Sequence, residues 1–235
     1  MEYQYKNYTI AFEIIYSKRK TMEISIKPPG IIKVKAPRRL SEEQIIQWVK
    51  SKSEWIAKKT SEFKDIEHML RKKEYINGEK FMYLGEEYPL EIIIDKSLAK
   101  SKVKNLNDKF YIHTSIREEY IMNDAMEQWY RERTEEIILE KIKYYEKYFN
   151  VVPNKIKIKE QKRIWGSCSS KKNLNFNWRL SMAPISVIEY IVVHEMCHLI
   201  HMNHSKKFWN LVGDIMPNYK EKREWLKKYS ATIML

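Results

Sequence analysis

Residues 185–204 read ISVIEYIVVHEMCHLIHMNH, and this stretch decides the architecture of the second half of the chain. Ile188, Ile191 and Val192 supply an apolar helical face, and four of the six histidines follow within His194–His204. His194 and His198 are four residues apart, so at about 3.6 residues per turn their rings leave nearly the same face of one helix. Two imidazoles so placed can share one ion, and Glu195 between them completes the H-E-x-x-H zinc pattern.

A catalytic zinc usually takes three protein ligands and keeps a fourth position for water. The preferred third ligand is His204. On a continuing helix it would lie about 9 Å beyond His198, too far for a shared ion with Zn–N near 2 Å, so the helix must end between them. Asn203 tolerates the left-handed conformation, which predicts a turn around Met202 and Asn203 that brings His204 back. The spacing matches the long motif H-E-x-x-H-x-x-G-x-x-H, with His201 in the glycine position. His201 is therefore a rival ligand, although it sits on or near the helix and faces away from the ion. The competing reading is a surface histidine cluster on an ordinary amphipathic helix; the buried face before the motif and the third histidine at this spacing argue against it.

Outward from this stretch, Ser186 and Glu189 are spaced as a capping box, which predicts a helix starting near Val187. Phe208, Trp209, Val212 and Ile215 have helical spacing and read as core. Upstream, Lys155–Lys159 and Leu174–Leu180 read as two strands of a small sheet joined through WGSCSSKK. From about Ile116 to Phe149 the chain lacks Gly and Pro and keeps helical spacing through Ile121, Met122, Ala125, Trp129, Ile138 and Ile142, which predicts a long helix.

The first half has a different period. Met22, Ile24, Ile26 and Ile32, Val34, Ala36 alternate as half-buried strands do, with Pro28, Pro29 and Gly30 between them. Ser41 and Gln44 form a capping-box pair, and one helix is expected from about Glu42 into the sixties. After Asn77-Gly78 a hairpin turning at Gly85 and Glu86 and a last strand at Phe110–His113 are expected. The fold class is α+β. Residues 1–114 are expected to form a β-rich domain with one helix, and residues 115–235 a second domain of long helix, small sheet, metal-binding helix and further helices.

Composition narrows the function. The 235 residues are 43% hydrophobic and 32% charged, as in a compact protein able to bury a core. No apolar run approaches the roughly 20 residues that span a bilayer, so no membrane is expected. The opening MEYQYKNYTI has no apolar signal region, and Cys168 and Cys197 read as free thiols, which sets the expected location as the cytoplasm. The net charge of +13 raises nucleic acid as a partner. The charge is spread evenly, however: residues 1–114 hold 23 basic and 16 acidic side chains, and the remainder 21 and 15. A solvated lysine-rich surface is the preferred reading.

With WGSC in Trp165–Cys168, NWRL in Asn177–Leu180 and VVHEMCHLIHMNHSKKFW in Val192–Trp209, the sequence closely resembles the YgjP-like family of predicted metal-dependent hydrolases. KRKTMEISIKPPG, IKVKAPRRLSEEQI and YLGEEYPL extend the likeness more weakly into the first half. The family is related to the SprT-like and WLM groups. The resemblance implies a zincin core, with His194, His198 and His204 as ligands and Glu195 as base. Where the family commonly has Arg before the tryptophan this chain has Ile164, with Arg163 one place earlier.

The expected activity is zinc-dependent hydrolysis, first of peptide bonds, with another divalent transition metal as an alternative cofactor. Glu195 would take the proton of a water acidified by the metal. Trp165, Gly166 and Ser167 are candidates for a strand edge that pairs with a peptide substrate, against the alternative that Trp165 closes the core. Tyr219 is a weaker candidate for an oxyanion donor. Two other functions are weighed: a nucleoside triphosphate pyrophosphatase, which the positive charge favours and the missing Gly-rich loop disfavours, and a nucleic-acid-binding module with a structural metal, which an open three-ligand site disfavours.

Overall fold

The computed structural model describes residues 1–27, 30–64, 72–161 and 164–233. The Pro28-Pro29 part of the first turn, the run of the early helix beyond Lys64, and Arg163 fall outside them. The chain is α+β and divides into two compact units, Met1–Arg71 and Lys72–Leu235.

In the first unit, β1 (Glu2–Tyr5), β2 (Tyr8–Ser17), β3 (Glu23–Lys27) and β4 (Ile31–Pro37) form a sheet in the order β1-β2-β4-β3. Its alternating residues Ile10, Phe12, Ile32, Val34 and Ala36 bury one face against Ile45, Val49 and Ile56. The capping box forms as expected, with Ser41 Oγ accepting from Gln44 N and the Gln44 side chain accepting from Ser41 N. The single expected helix is instead two, α1 (Glu42–Lys50) and α2 (Ser53–Lys64). Serine hydroxyls compete for backbone carbonyls at the break: Ser51 Oγ donates to Trp48 O and Ser53 Oγ to Lys50 O.

The second unit opens with another four-stranded sheet, β5 (Lys80–Tyr83), β6 (Glu86–Ile94), β7 (Lys102–Leu106) and β8 (Lys109–Thr114), in the order β5-β6-β8-β7. It repeats the first sheet. In both, the outer pairs are antiparallel and the central pair is parallel, and the registers correspond: Phe12 pairs with Ile32 and Leu90 with Phe110, a shift of 78 in each strand (12 to 90, 32 to 110). The first hairpin of each turns through a residue of positive φ, Lys6 and Leu84, both at 51°. The turn thus sits at Leu84-Gly85, one residue before the expected position. β7 was not anticipated, because KVKNL carries few apolar residues to reveal its period.

The long helix is α3 (Glu119–Tyr145), extended by one 3-10 turn over Glu146–Tyr148. Met122, Met126 and Tyr130 pack on Phe81, Leu90, Phe110 and Ile112 of the second sheet, while Ile138 and Ile142 join a separate core with Leu174, Phe176, Ile188 and Val192. The expected boundary before residue 115 is therefore not where the units part. Cutting there would strip the second sheet of the helix that covers it.

β9 (Lys155–Lys159), β10 (Gly166–Cys168) and β11 (Asn173–Asn177) form a three-stranded sheet ordered β10-β11-β9. Two expectations change here. The second strand stops at Asn177, whose side chain accepts from Arg179 N and starts a 3-10 segment, Trp178–Met182. The WGSCSSKK connection itself supplies a strand, β10, antiparallel to β11. The buried Thr134 hydroxyl of α3 donates to Trp178 O and contacts Ser181 Oγ at 2.9 Å, which ties the segment to the long helix.

The histidine helix is α4 (Ile185–Cys197), followed by α5 (Lys206–Ile215) and α6 (Tyr219–Ile233). The Ser186 capping box does not form. Pro184 is the N-cap, its carbonyl accepting from Val187 N and Ile188 N, and Glu189 pairs with Lys141 of α3 at 3.2 Å. The second hairpin's tip holds this end in place: Leu84 N and Gly85 N donate to Ser181 O and Met182 O, and a Cβ at Gly85 would lie 2.8 Å from Pro184 Cγ. Phe208 and Val212 of α5 are fully buried. No described helix is long and apolar enough to cross a membrane.

Candidate metal centre

The three histidines converge. His204 Nε2 lies 3.0 Å from His194 Nε2 and 3.2 Å from His198 Nε2. Tetrahedral ligands about 2 Å from one zinc stand about 3.3 Å apart, so this donor set fits an ion of that size. Among the described residues these three form the group able to hold a metal, and His201 is not part of it.

The path between His198 and His204 differs from the expected one. No left-handed residue occurs between them. The helix instead tightens into a final turn, with Leu199 N donating to Met196 O and Ile200 N and His201 N to Cys197 O. His198 contributes its own ring to this turn: Nδ1 lies 2.9 Å from the His201 carbonyl oxygen. A carbonyl can only accept, so Nδ1 carries the proton and Nε2 presents its lone pair to the centre. His201 thus acts through its backbone and fixes the tautomer of its neighbour. Ser205 then caps α5 by accepting from Phe208 N, and the ring of Phe208 lies against all three imidazoles at 4.4–4.9 Å.

Burial sets the charge states. It lowers His194 to about 3, helped by His198, His204 and Arg223, and lowers His198 as well. Both rings are therefore neutral, the form in which imidazole coordinates metal. Glu195 is 4% exposed, and burial raises its carboxyl to about 8. Its Oε2 is buried and has no hydrogen-bond partner among the described residues, and the same holds for Nδ1 of His194. Orphaned buried acceptors are uncommon, and this one lies beside the imidazole cluster.

Gly166 explains how Glu195 reaches that position. A Cβ there would stand 2.7 Å from Glu195 Cγ and Oε1 and 2.9 Å from Cδ. Only a glycine lets β10 close on the carboxylate. β10 is the edge of its sheet, paired on one side with β11. Ser167 Oγ receives a hydrogen bond from Asn175 Nδ2, and Trp165, 8% exposed, belongs to the core while also bordering the site. A cleft of about 460 Å³ brings Trp165, Gly166, Ser167, Glu195 and the three histidines to one surface, with Ile164, Tyr190, Met202 and Leu226 adding mostly apolar walls. Tyr219 does not line it; its ring stacks between Trp209 and Tyr190. Tyr190 went unnoticed in the sequence, although its place four residues before His194 puts it on the same helical face.

Three convergent imidazoles, an adjacent buried glutamate and an open cleft define the class, a metal-dependent hydrolase. The family follows: the chain belongs to the family described as YgjP-like, metallopeptidase domain, whose model matches residues 20–229. That membership favours neither the pyrophosphatase nor the structural-metal alternative. Among solved structures, the chain is similar to the metallopeptidase zymogen of Pyrococcus abyssi abylysin, at 18% identity and a TM-score of 0.36 over 40% of this chain and 95% of that one. It is also similar to the zymogen of Methanocaldococcus jannaschii jannalysin, at 23% identity and a TM-score of 0.33 over 41% of this chain and 96% of that one. A search among curated proteins finds no match.

Proposed function

We propose that this chain is a zinc peptidase in which His194, His198 and His204 hold the metal and Glu195 is the general base. The observation that carries the reading is the convergence of three Nε2 atoms next to a buried carboxylate with an unpartnered oxygen. Zinc is preferred among divalent ions because an open set of three imidazoles is a donor set it takes in catalytic sites. Bound there, it supplies Lewis acidity, polarising a carbonyl and acidifying water.

The protein's own groups do the rest. Glu195 accepts a proton from water as the water oxygen adds to the scissile carbonyl carbon, and returns that proton to the leaving amine. A dication beside it favours its charged form and offsets the effect of burial. β10 is an edge strand among the described residues, and at Gly166 and Ser167 it offers backbone groups to an extended peptide, with Trp165 behind it. Peptide or protein is accordingly the substrate class, and the cytoplasm is the location that the free thiols favour.

The test incubates zinc-loaded protein, chelator-treated protein and Glu195→Gln with a mixed peptide library and reads new termini by mass spectrometry. Cleavage by the zinc-loaded protein alone supports the reading. A protein that retains zinc and cleaves no peptide would sink it.

A further inference from the structure

Tyr190, His194 and His198 are spaced i, i+4, i+8, so they leave one face of α4, and all three line the cleft. The Tyr190 ring is held from two sides. It stacks on Tyr219 at 6.4 Å and 19°, and meets the His194 ring edge-on at 5.8 Å. The residue as a whole is 3% exposed, but its hydroxyl is not one of the buried atoms left without a partner; it makes no hydrogen bond among the described residues and stays open to the cleft that the residue lines. Other tyrosines of this chain spend their hydroxyls inside the protein: Tyr130 donates to Met82 O at 2.6 Å, and Tyr75 to Asn123 Oδ1 at 3.0 Å. Tyr190 is thus a donor on a ring held in place by stacking, free to meet a ligand at the wall of the cleft that holds the histidines and Glu195.

Arg223 of α6 adds positive charge to the same region. Its guanidinium carbon lies 4.8 Å from the centre of the Trp209 ring, which is itself 5.8 Å from His194 and 5.6 Å from His204. Arg223 is exposed, and its charge reaches both Tyr190 and His194, lowering the pKa of each. A hydroxyl open to the cleft and a nearby positive charge suit a site that must stabilise negative charge as it develops during reaction.

We propose that Tyr190 is a further catalytic residue, whose phenol donates a hydrogen bond to the scissile carbonyl oxygen as that oxygen becomes negative, with Arg223 lending positive potential. This rests on the peptidase reading above. When the water oxygen bonds to the carbonyl carbon, the C=O π pair moves onto oxygen and one water proton passes to Glu195. Tyr190 stabilises that oxyanion without giving up its proton. The pair then returns to form C=O, the C–N bond breaks, and the proton held by Glu195 goes to the departing nitrogen, leaving an acid and an amine for one water consumed.

Tyr190→Phe keeps the ring and its stacking and removes only the hydroxyl. Two probes separate ground state from transition state: a cleavable peptide, and its phosphinic analogue, whose tetrahedral P–O⁻ imitates the oxyanion. Both are titrated calorimetrically into zinc-loaded Glu195→Gln, with and without Tyr190→Phe, and bound zinc is measured on each sample. Loss of one oxyanion donor predicts that the phosphinic peptide binds about 10²-fold more weakly, whereas the parent peptide changes by less than about threefold. Arg223→Gln should weaken the phosphinic peptide alone, by a smaller factor. In the Glu195 background Tyr190→Phe lowers kcat and leaves KM nearly unchanged. Equal effects on both probes, or none on either, overturn the role of Tyr190 and leave the peptidase reading standing. If zinc-loaded Glu195→Gln binds neither probe, the peptidase reading fails and takes this inference with it.

Discussion

Gly166→Ala is the sharpest perturbation of the candidate site, because it adds one methyl group and its consequence can be worked out from distances. The new Cβ would stand 2.7 Å from Glu195 Cγ and Oε1, well inside van der Waals contact. Restoring ordinary separation near 3.5–4 Å requires roughly 1 Å of movement, shared between β10 and the Glu195 side chain. A displacement of that size in a reacting group costs about 10²-fold in rate, or about 2.7 kcal/mol of transition-state stabilisation. Overpacking of this kind also costs about 1–3 kcal/mol of stability, which a folded second unit can withstand. The assay measures kcat and KM on a cleaved peptide, with bound zinc and thermal midpoint from the same preparation. The expected result is a kcat reduced about 10²-fold, KM within about threefold, and full zinc occupancy. Glu195→Asp provides the internal control. It removes the methylene that the methyl group strikes, so Gly166→Ala in that background should cost much less than in the wild type, the non-additivity of residues in contact. Gly166→Ala with full zinc and activity within threefold of wild type would refute the seating of Glu195 by this glycine.

Other outcomes follow from the same geometry. Glu195→Gln should keep its zinc and fold while losing hydrolysis by about 10²–10⁴-fold, checked by turnover and metal analysis together; loss of the metal would recast Glu195 as a ligand. His204→Ala should lose zinc on dialysis far more readily than His201→Ala, because His201 takes part through its carbonyl oxygen and not its ring. Metal should raise thermal stability in proportion to its binding, by about 4 kcal/mol at a thousandfold excess over Kd, and a chelator should reverse the gain in a melting experiment. A fragment beginning at Lys72 should fold and bind one zinc. One beginning at Ile116 should aggregate, since it exposes Met122, Met126 and Tyr130 without the sheet they cover; a soluble, helical, zinc-binding fragment from Ile116 would contradict that.

What the sequence reveals here is mostly what helical and strand periods encode. The i, i+4 placement of His194 and His198, the need for a chain reversal before His204 and the alternation in β4 are local consequences of backbone geometry, readable without any partner. The first capping box was legible for the same reason. Where two local signals competed, the pattern misled: Ser186 and Glu189 have capping spacing, but Pro184 already begins the helix and Lys141 takes the glutamate. β10 has three residues, too few to show a period, and the duplicated sheet preserves register and turn geometry more than residue identity.

By itself, then, the sequence determined which residues could bind a metal, because spacing on one helix is a short-range matter. Tertiary structure alone decided how those residues are set to act. The approach of Gly166 to Glu195, the His198 ring on the His201 carbonyl, the place of Tyr190 on the cleft wall and the bond between α3 and the second sheet all depend on which surfaces pack together. Packing at near-crystalline density is a collective property of the whole core, and no window of neighbouring residues carries it.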